Sequence, residues 1–322
     1  MVPLPSNIID SHVHFWHPDK ILIPWQKGSI FESKPMDGMA YSQDVKRVRV
    51  QTAVYVETDV DPVHSLVEAD WIARYAETLN NQIEAATAKG TETGVAFGGI
   101  GAIVAYAPVH QGKHVVAYLD LLTRLVGRRR LRGVRHLIQD PLLDPDRVRC
   151  PDFIDGVRSL ASFGLSFDLN INCNHSPQQF PPIITLVQKC PDVRFVLDHM
   201  AKPPCDSKPG QDRFEFWRSQ MLLLGKQPNV VCKVSGLVTE TQTESWTVEQ
   251  LGPFVETAKE AFGVDRILFG GDWPVCNMAV KWQTWIELLS IIIQDWPDQD
   301  KHKLFVTNAA KTYQLSSCKT VD

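Results

Sequence analysis

Two histidines one residue apart, His12 and His14, follow an aspartate in the stretch Asp10-Ser-His-Val-His14. On an extended strand, residues two apart point to one side, so Asp10, His12 and His14 are expected to face the same way. Imidazoles at this spacing can chelate one metal ion or grip one oxygen of a substrate; an ordinary strand-end pair is the competing reading. Far downstream, Phe269-Gly-Gly-Asp272-Trp-Pro274 sets an acid directly after two glycines. Glycines allow close backbone approach and an unusual turn, so Asp272 should be held rigidly, with Trp273 as a lid or substrate platform. His199, in Asp198-His-Met-Ala-Lys202-Pro203, is a third imidazole. Its neighbour Asp198 should face the other way and support it from outside. Glu57, in Glu57-Thr-Asp59, can ligate metal, orient a histidine or sit solvated in a loop. Arg135 can fork onto a carboxylate or a hydroxyl pair or form a structural ion pair, and only one of Arg135 and His136 can point inward. Lys233, in Lys233-Val-Ser235-Gly236, reads equally as an ion-pair partner or a substrate contact.

All of these residues stand at the ends of short apolar runs. Such runs fall at residues 7–10, 52–56, 102–107, 132–137, 165–170, 194–198, 230–234 and 266–269. They are apolar on both faces, as strands of a covered parallel sheet should be. Amphipathic stretches separate them. Val63, Leu66, Val67, Trp71 and Ala73 recur near helical spacing within residues 61–79, as do Phe214, Trp217, Met221 and Leu224. Thr247-Val-Glu-Gln250 has the pattern of a capping box opening a helix, and Pro151 suits a first helical position. Eight β/α units in one chain imply a (β/α)8 TIM barrel, of class α/β, forming a single domain over residues 1–322; a doubly wound open sheet is the runner-up. Residues 80–94 read as an insertion after the second helix. In such barrels chemistry sits at the C-terminal strand ends, which is where the ionisable residues cluster.

Composition narrows the class. The 322 residues are 44% hydrophobic and 22% charged with a net charge of −4, globular values that exclude disorder and coiled coil and point to no nucleic-acid partner. No apolar run approaches the ~20 residues of a membrane span. The seven cysteines are odd in number, without a CxxC pair, which suits reduced thiols, a cytoplasmic location and no disulfide framework. A homo-oligomer is compatible with the sequence. Serine-hydrolase, P-loop and dinucleotide fingerprints are missing from it.

Five motifs in order, Ile9-Asp-Ser-His-Val-His-Phe-Trp16, Gly133-Val-Arg-His136, Asp198-His-Met-Ala-Lys-Pro203, Cys232-Lys-Val-Ser-Gly236 and Phe269-Gly-Gly-Asp-Trp-Pro-Val275, resemble the amidohydrolase superfamily, and within it the sugar-lactonase branch. The resemblance runs from about residue 8 to residue 315. It implies a (β/α)8 barrel and lactone hydrolysis, with the family's first-strand histidines on His12 and His14, its sixth-strand histidine on His199 and its eighth-strand aspartate on Asp272. The fifth-strand histidine of metal-rich members has no counterpart, which argues against a binuclear site. Gly271 stands where a serine is common in this branch.

The expected chemistry is ring opening of a small sugar lactone. Asp272 acts as general base on a water, and His12, His14 and His199 stabilise the oxyanion directly or through one divalent ion. Zinc is the expected ion, held by some of His12, His14, His199 and Asp272 with Glu57 as an extra ligand. Arg135, Lys202, Lys233, Trp16, Trp25 and Trp273 are the expected substrate contacts, together with the polar Asn170, Asn172 and Ser235. The alternatives are a decarboxylase or a pyrone-type dicarboxylate lactonase on the same barrel, and a non-catalytic binding protein.

Overall fold

The computed structural model describes residues 2–91, 96–241 and 246–315. Eight strands, β1 (Asn7–Val13), β2 (Arg49–Val56), β3 (Ile100–Tyr106), β4 (Leu131–Arg135), β5 (Ser166–Leu169), β6 (Phe195–Leu197), β7 (Val230–Val234) and β8 (Ile267–Phe269), pair in that order, every pair parallel. Each is followed by a helix: α1 (Gly38–Val45), α2 (Ser65–Lys89), α3 (Val115–Val126), α4 (Pro151–Phe163), α5 (Phe180–Lys189), α6 (Asp212–Gly225), α7 (Val248–Phe262) and α8 (Trp282–Ile292). This is the (β/α)8 barrel. Pro151 opens α4, and the Thr247 hydroxyl accepts the Gln250 N–H at 3.2 Å to cap α7. Residues 80–89 form the last turns of α2, whose C-cap is the left-handed Gly90; residues 92–95 lie outside the described residues.

The first and last strands meet at a seam made by few but short bonds. The Ser11 hydroxyl donates to Phe269 O at 2.5 Å, the Asp272 N–H donates to His12 O at 2.8 Å, and the His14 N–H donates to Trp273 O at 2.7 Å. Barrel closure therefore sets the backbone of His12 and His14 directly against that of Asp272.

Apolar side chains fill two layers. Outside the strands, one continuous core packs them against the helices. Inside the barrel, Val54, Val56, Ala102, Val104, Val196 and Leu268 surround Tyr313, which the C-terminal segment inserts. Above this plug the interior turns polar, with Arg135, Asp168, Asp198 and Lys233 all buried. The six cysteines among the described residues are free thiols. No helix among those residues is long and apolar enough to cross a membrane.

Candidate active site

Strand pleating alone does not explain how the site residues converge. The register of β1 shifts between Asp10 and Val13, so Asp10 does not share the facing of His12 and His14. It points outward, where it accepts hydrogen bonds from Gly271 N (2.7 Å), Tyr41 Oη (2.8 Å) and Trp282 Nε1 (2.9 Å). That bracket holds the turn before Asp272, and it explains Gly271. A Cβ at position 271 would run into Trp282 Nε1 and an Asp10 oxygen. Gly271→Ser is expected to lower stability by ~1–3 kcal/mol, the usual cost of overpacking. A chemical-denaturation midpoint equal to that of wild type would contradict this.

On β6, adjacent residues should face opposite ways, and Asp198 was expected to support His199 from outside. Instead both point to the barrel axis. His199, Met200, Ala201 and Lys202 all take left-handed backbone, with φ of 50°, 50°, 64° and 49°. For L-residues this costs roughly 1–2 kcal/mol each. Burial of Met200 and Ala201 offsets the cost, as do hydrogen bonds from Trp217 Nε1 to Met200 O (2.8 Å), Cys173 N to Ala201 O (2.9 Å) and Asn174 N to Lys202 O (2.8 Å). The turn swings the His199 ring back over the strand end. Gly236 makes room for it: a Cβ there would lie 2.8 Å from His199 Nδ1.

The result is three imidazoles around one carboxylate oxygen. His12, His14 and His199 place Nε2 at 3.8, 3.7 and 3.8 Å from Asp272 Oδ1. His12 Nε2 and His14 Nε2 are 3.2 Å apart. Their outer nitrogens are anchored. His14 Nδ1 donates to Val56 O at 2.9 Å, and His199 Nδ1 shares a 2.8 Å hydrogen bond with Ser235 Oγ. His12 Nδ1 lies 3.3 Å from Asp198 Oδ1 and 3.1 Å from Lys233 Nζ.

The charges are set by surroundings. Burial alone would raise the Asp272 carboxyl, but His199, His14 and His12 beside it hold it below the usual carboxylate range. Burial pushes His199 down to about 4, with Asp272 and Asp198 offsetting part of the effect. Burial and the Lys233 ammonium lower His12 well below its ordinary value. At neutral pH the site thus holds an ionised Asp272 with neutral His12 and His199.

Beneath His12 runs a buried ion network. Lys233 Nζ lies 2.7 Å from Asp168 Oδ2 and 2.9 Å from Asp198 Oδ1. Tyr313 Oη donates to Asp168 Oδ2 at 3.0 Å. Arg135 pairs with Glu57 Oε1 through Nε (2.5 Å), with Glu57 O through one terminal nitrogen (2.6 Å), and with Asp198 Oδ2 through the other (3.3 Å). Three of its five N–H groups are committed in these bonds, and the residue lines the cavity above Asp272.

That cavity, about 300 Å³, opens over Asp272 and is also lined by His14, His199, Lys202, Trp25 and Asn170. Trp25 is fixed there by Nε1 donating to Thr58 O at 2.8 Å. Other expected contacts lie elsewhere. Trp16 is fully buried, donates to Lys34 O and packs against Trp25 and Phe31 beneath the loop after β1. Trp273 is fully buried, donates to Asp44 Oδ2 at 2.7 Å and packs on Phe15 and Tyr41. It is a wedge in the helix layer, not a lid. Lys233 sits in the floor of the site. Glu57 is no spare ligand, since Arg135 takes one oxygen and the Asp59 N–H the other, at 2.7 Å.

The donor set offers ligands for a divalent ion. Ligand atoms of His12, His14 and Asp272 lie within 4.8 Å of one another, and so do those of His12, Asp198 and His199. Inward Nε2 atoms with outward-anchored Nδ1 atoms are the arrangement that metal-binding histidines adopt.

The family model of the amidohydrolases matches residues 9–315. The chain belongs to the amidohydrolase family. Among curated relatives, this amidohydrolase is 31% identical over 187 residues to an L-fucono-1,5-lactonase of Burkholderia ambifaria, covering 54% of this chain and 61% of that one. It is 26% identical to an L-rhamnono-gamma-lactonase of Scheffersomyces stipitis over 96% and 99% of the two chains. Among solved structures, an amidohydrolase from Burkholderia multivorans with bound zinc superposes with a TM-score of 0.75 at 23% identity, covering 97% of this chain and all of that one.

Proposed function

We propose that the protein is a lactonase that opens the ring of a small sugar lactone, with Asp272 as general base. One observation carries this reading: an ionised carboxylate ringed by three imidazole Nε2 atoms at 3.7–3.8 Å, on the floor of a cavity that Arg135 and Lys202 line. The lactonase relatives support the reaction class. Asp272 takes the proton of a water in the cavity as that water attacks the lactone carbonyl. The histidines face the carbonyl oxygen as negative charge develops there. The ring C–O bond then breaks, and Asp272 returns its proton to the leaving alkoxide. Arg135 directs its guanidinium, and Lys202 its ammonium, at substrate oxygens, while Trp25 covers a ring face. Ring opening creates a carboxylate, which these cations also suit.

His12, His14, His199 and Asp272 would hold one zinc ion, and such an ion supplies Lewis acidity toward the carbonyl and a lowered pKa for its water. Elemental analysis should find one zinc per chain, and chelation should abolish activity. Two tightly held ions would contradict a mononuclear site. Full activity in chelator with no ion would leave the polarisation of the carbonyl to the histidines alone.

The function is tested with a pH-indicator assay across aldonolactones, a pyrone dicarboxylate and aryl esters, with carbon dioxide release followed on an aromatic acid. Acid release fastest from aldonolactones is expected. A higher kcat/KM for the pyrone or the aryl ester would overturn the sugar-lactone reading, and carbon dioxide would point to a decarboxylase.

A further inference from the structure

The cavity over Asp272 is not the whole of the opening at this end of the barrel. A second chamber of about 670 Å³ adjoins it, and the two share Asp59, Leu137, Gln139 and Lys202 as a common wall. The second chamber is more than twice the size of the first, and the proposed chemistry uses none of its deeper lining. That lining has an unusual polar character. Among the described residues, Gln139 Oε1 and His136 Nδ1 are buried without a hydrogen-bond partner. A buried acceptor left unpaired is costly, and its occurrence at a binding site indicates a donor that arrives with the ligand. The His136 ring lies 4.9 Å from that of His110 and 5.5 Å from that of Tyr106, tilted to both. Burial and the neighbouring His110 push it down to about 4. It therefore faces a ligand as a neutral ring. Glu57, Asp59 and Asp140 also line the chamber, against a single lysine, Lys202, and Glu57 is already covered by Arg135.

We propose that this second chamber receives the exocyclic hydroxylated arm of the lactone, that Gln139 and His136 accept its hydroxyl hydrogen bonds, and that the same wall rejects an arm ending in a carboxylate. The inference rests on the sugar-lactone reading and deepens it. The reacting ring lies over Asp272, and the arm passes the shared wall at Gln139. A hydroxylated arm supplies the donors that both orphaned acceptors lack. A carboxylate arm supplies only acceptors and meets Asp59 and Asp140. Tyr106 and Leu143, on the same lining, cover the C–H sides of the arm.

Steady-state kinetics on three substrates test this. They are an aldono-γ-lactone with a two-carbon hydroxylated arm, the hydroxylated γ-lactone of the same ring without an arm, and a pyrone dicarboxylate. Gln139→Ala should lower kcat/KM for the armed lactone about three- to tenfold, the worth of one neutral hydrogen bond, almost entirely through KM. Its effect on the armless lactone should stay below about twofold on the same scale. Gln139→Lys, which puts a cation in the shared wall, should narrow the preference for the hydroxylated arm over the dicarboxylate. Equal losses on armed and armless substrates, or an armed lactone unaffected by Gln139→Ala, would overturn the chamber assignment. So would wild-type protein that turns over the armless lactone as well as the armed one, and the sugar-lactone reading would then stand. Wild-type protein inactive on both lactones would instead remove the reading on which the chamber assignment rests.

Discussion

Asp272→Asn should lower kcat by about 10²–10⁴, the usual worth of general-base catalysis. The substitution keeps the shape of the side chain and leaves the Asp272 N–H bond to His12 O and the seam between β1 and β8 in place. It removes the proton acceptor and the negative charge between three histidines. Because those histidines hold the carboxyl below its usual range, it is ionised at every pH of practical interest. The acid limb of the wild-type pH–rate profile should therefore not report Asp272. KM should move far less than kcat, since the carboxylate acts on the water rather than on the ground-state lactone. A variant retaining more than about a third of wild-type kcat would, on that scale, exclude Asp272 as the base.

The second large effect is on stability. Lys233→Met should destabilise the fold by ~3–5 kcal/mol, the range for breaking a buried ion pair from one side. Lys233 Nζ is within 2.9 Å of both Asp168 and Asp198, all three fully or almost fully buried. Removing the ammonium leaves two carboxylates facing each other, with Arg135 and the His12 ring beside Asp198 and the Tyr313 and Ser166 hydroxyls beside Asp168 as the remaining partners. The pH dependence has a definite sign. In the wild type, burial would raise Asp198, but Lys233, His12 and Arg135 outweigh it and hold the carboxyl well below its ordinary value. That stabilisation is present above the unfolded carboxylate pKa and is lost as the pH falls toward the folded one. Without Lys233 the folded pKa rises, so the variant's deficit should be larger at pH 8 than at pH 5. Adding Asp168→Asn should recover part of the loss, giving a coupling of at least ~1 kcal/mol in a double-mutant cycle. A urea midpoint shift worth less than ~1 kcal/mol for the single variant would show that water, not Lys233, compensates the two acids.

The barrel was legible because its strands read as short apolar runs at regular intervals, most of them with an ionisable residue at the end. His12, His14, His199 and Asp272 were legible for the same reason. What periodicity could not supply was facing. Asp10 turns away because β1 changes register, and His199 turns in beside Asp198 because it and the three residues after it leave the right-handed backbone. Neither event has a local marker: Met200 and Ala201 are not residues that favour left-handed φ, and only their burial and the Trp217 bond hold them there. Trp16 and Trp273 misled because an aromatic side chain near a strand end serves equally well as a ring platform or as packing. Gln139 gave no signal at all, being one polar residue in a loop until the fold left its oxygen buried and unpaired.

The seam between β1 and β8 has a consequence for when the site comes into being. His12 and Asp272 are joined by a backbone hydrogen bond across 260 positions of sequence. As the chain emerges from synthesis, the two histidines are made with the first strand, and their carboxylate arrives only with the eighth. Until then no smaller set of β/α units holds both halves of the centre. Catalytic competence and completion of the barrel are therefore one event, and any nascent or truncated form lacking the last strand presents its histidines without the acid that organises them.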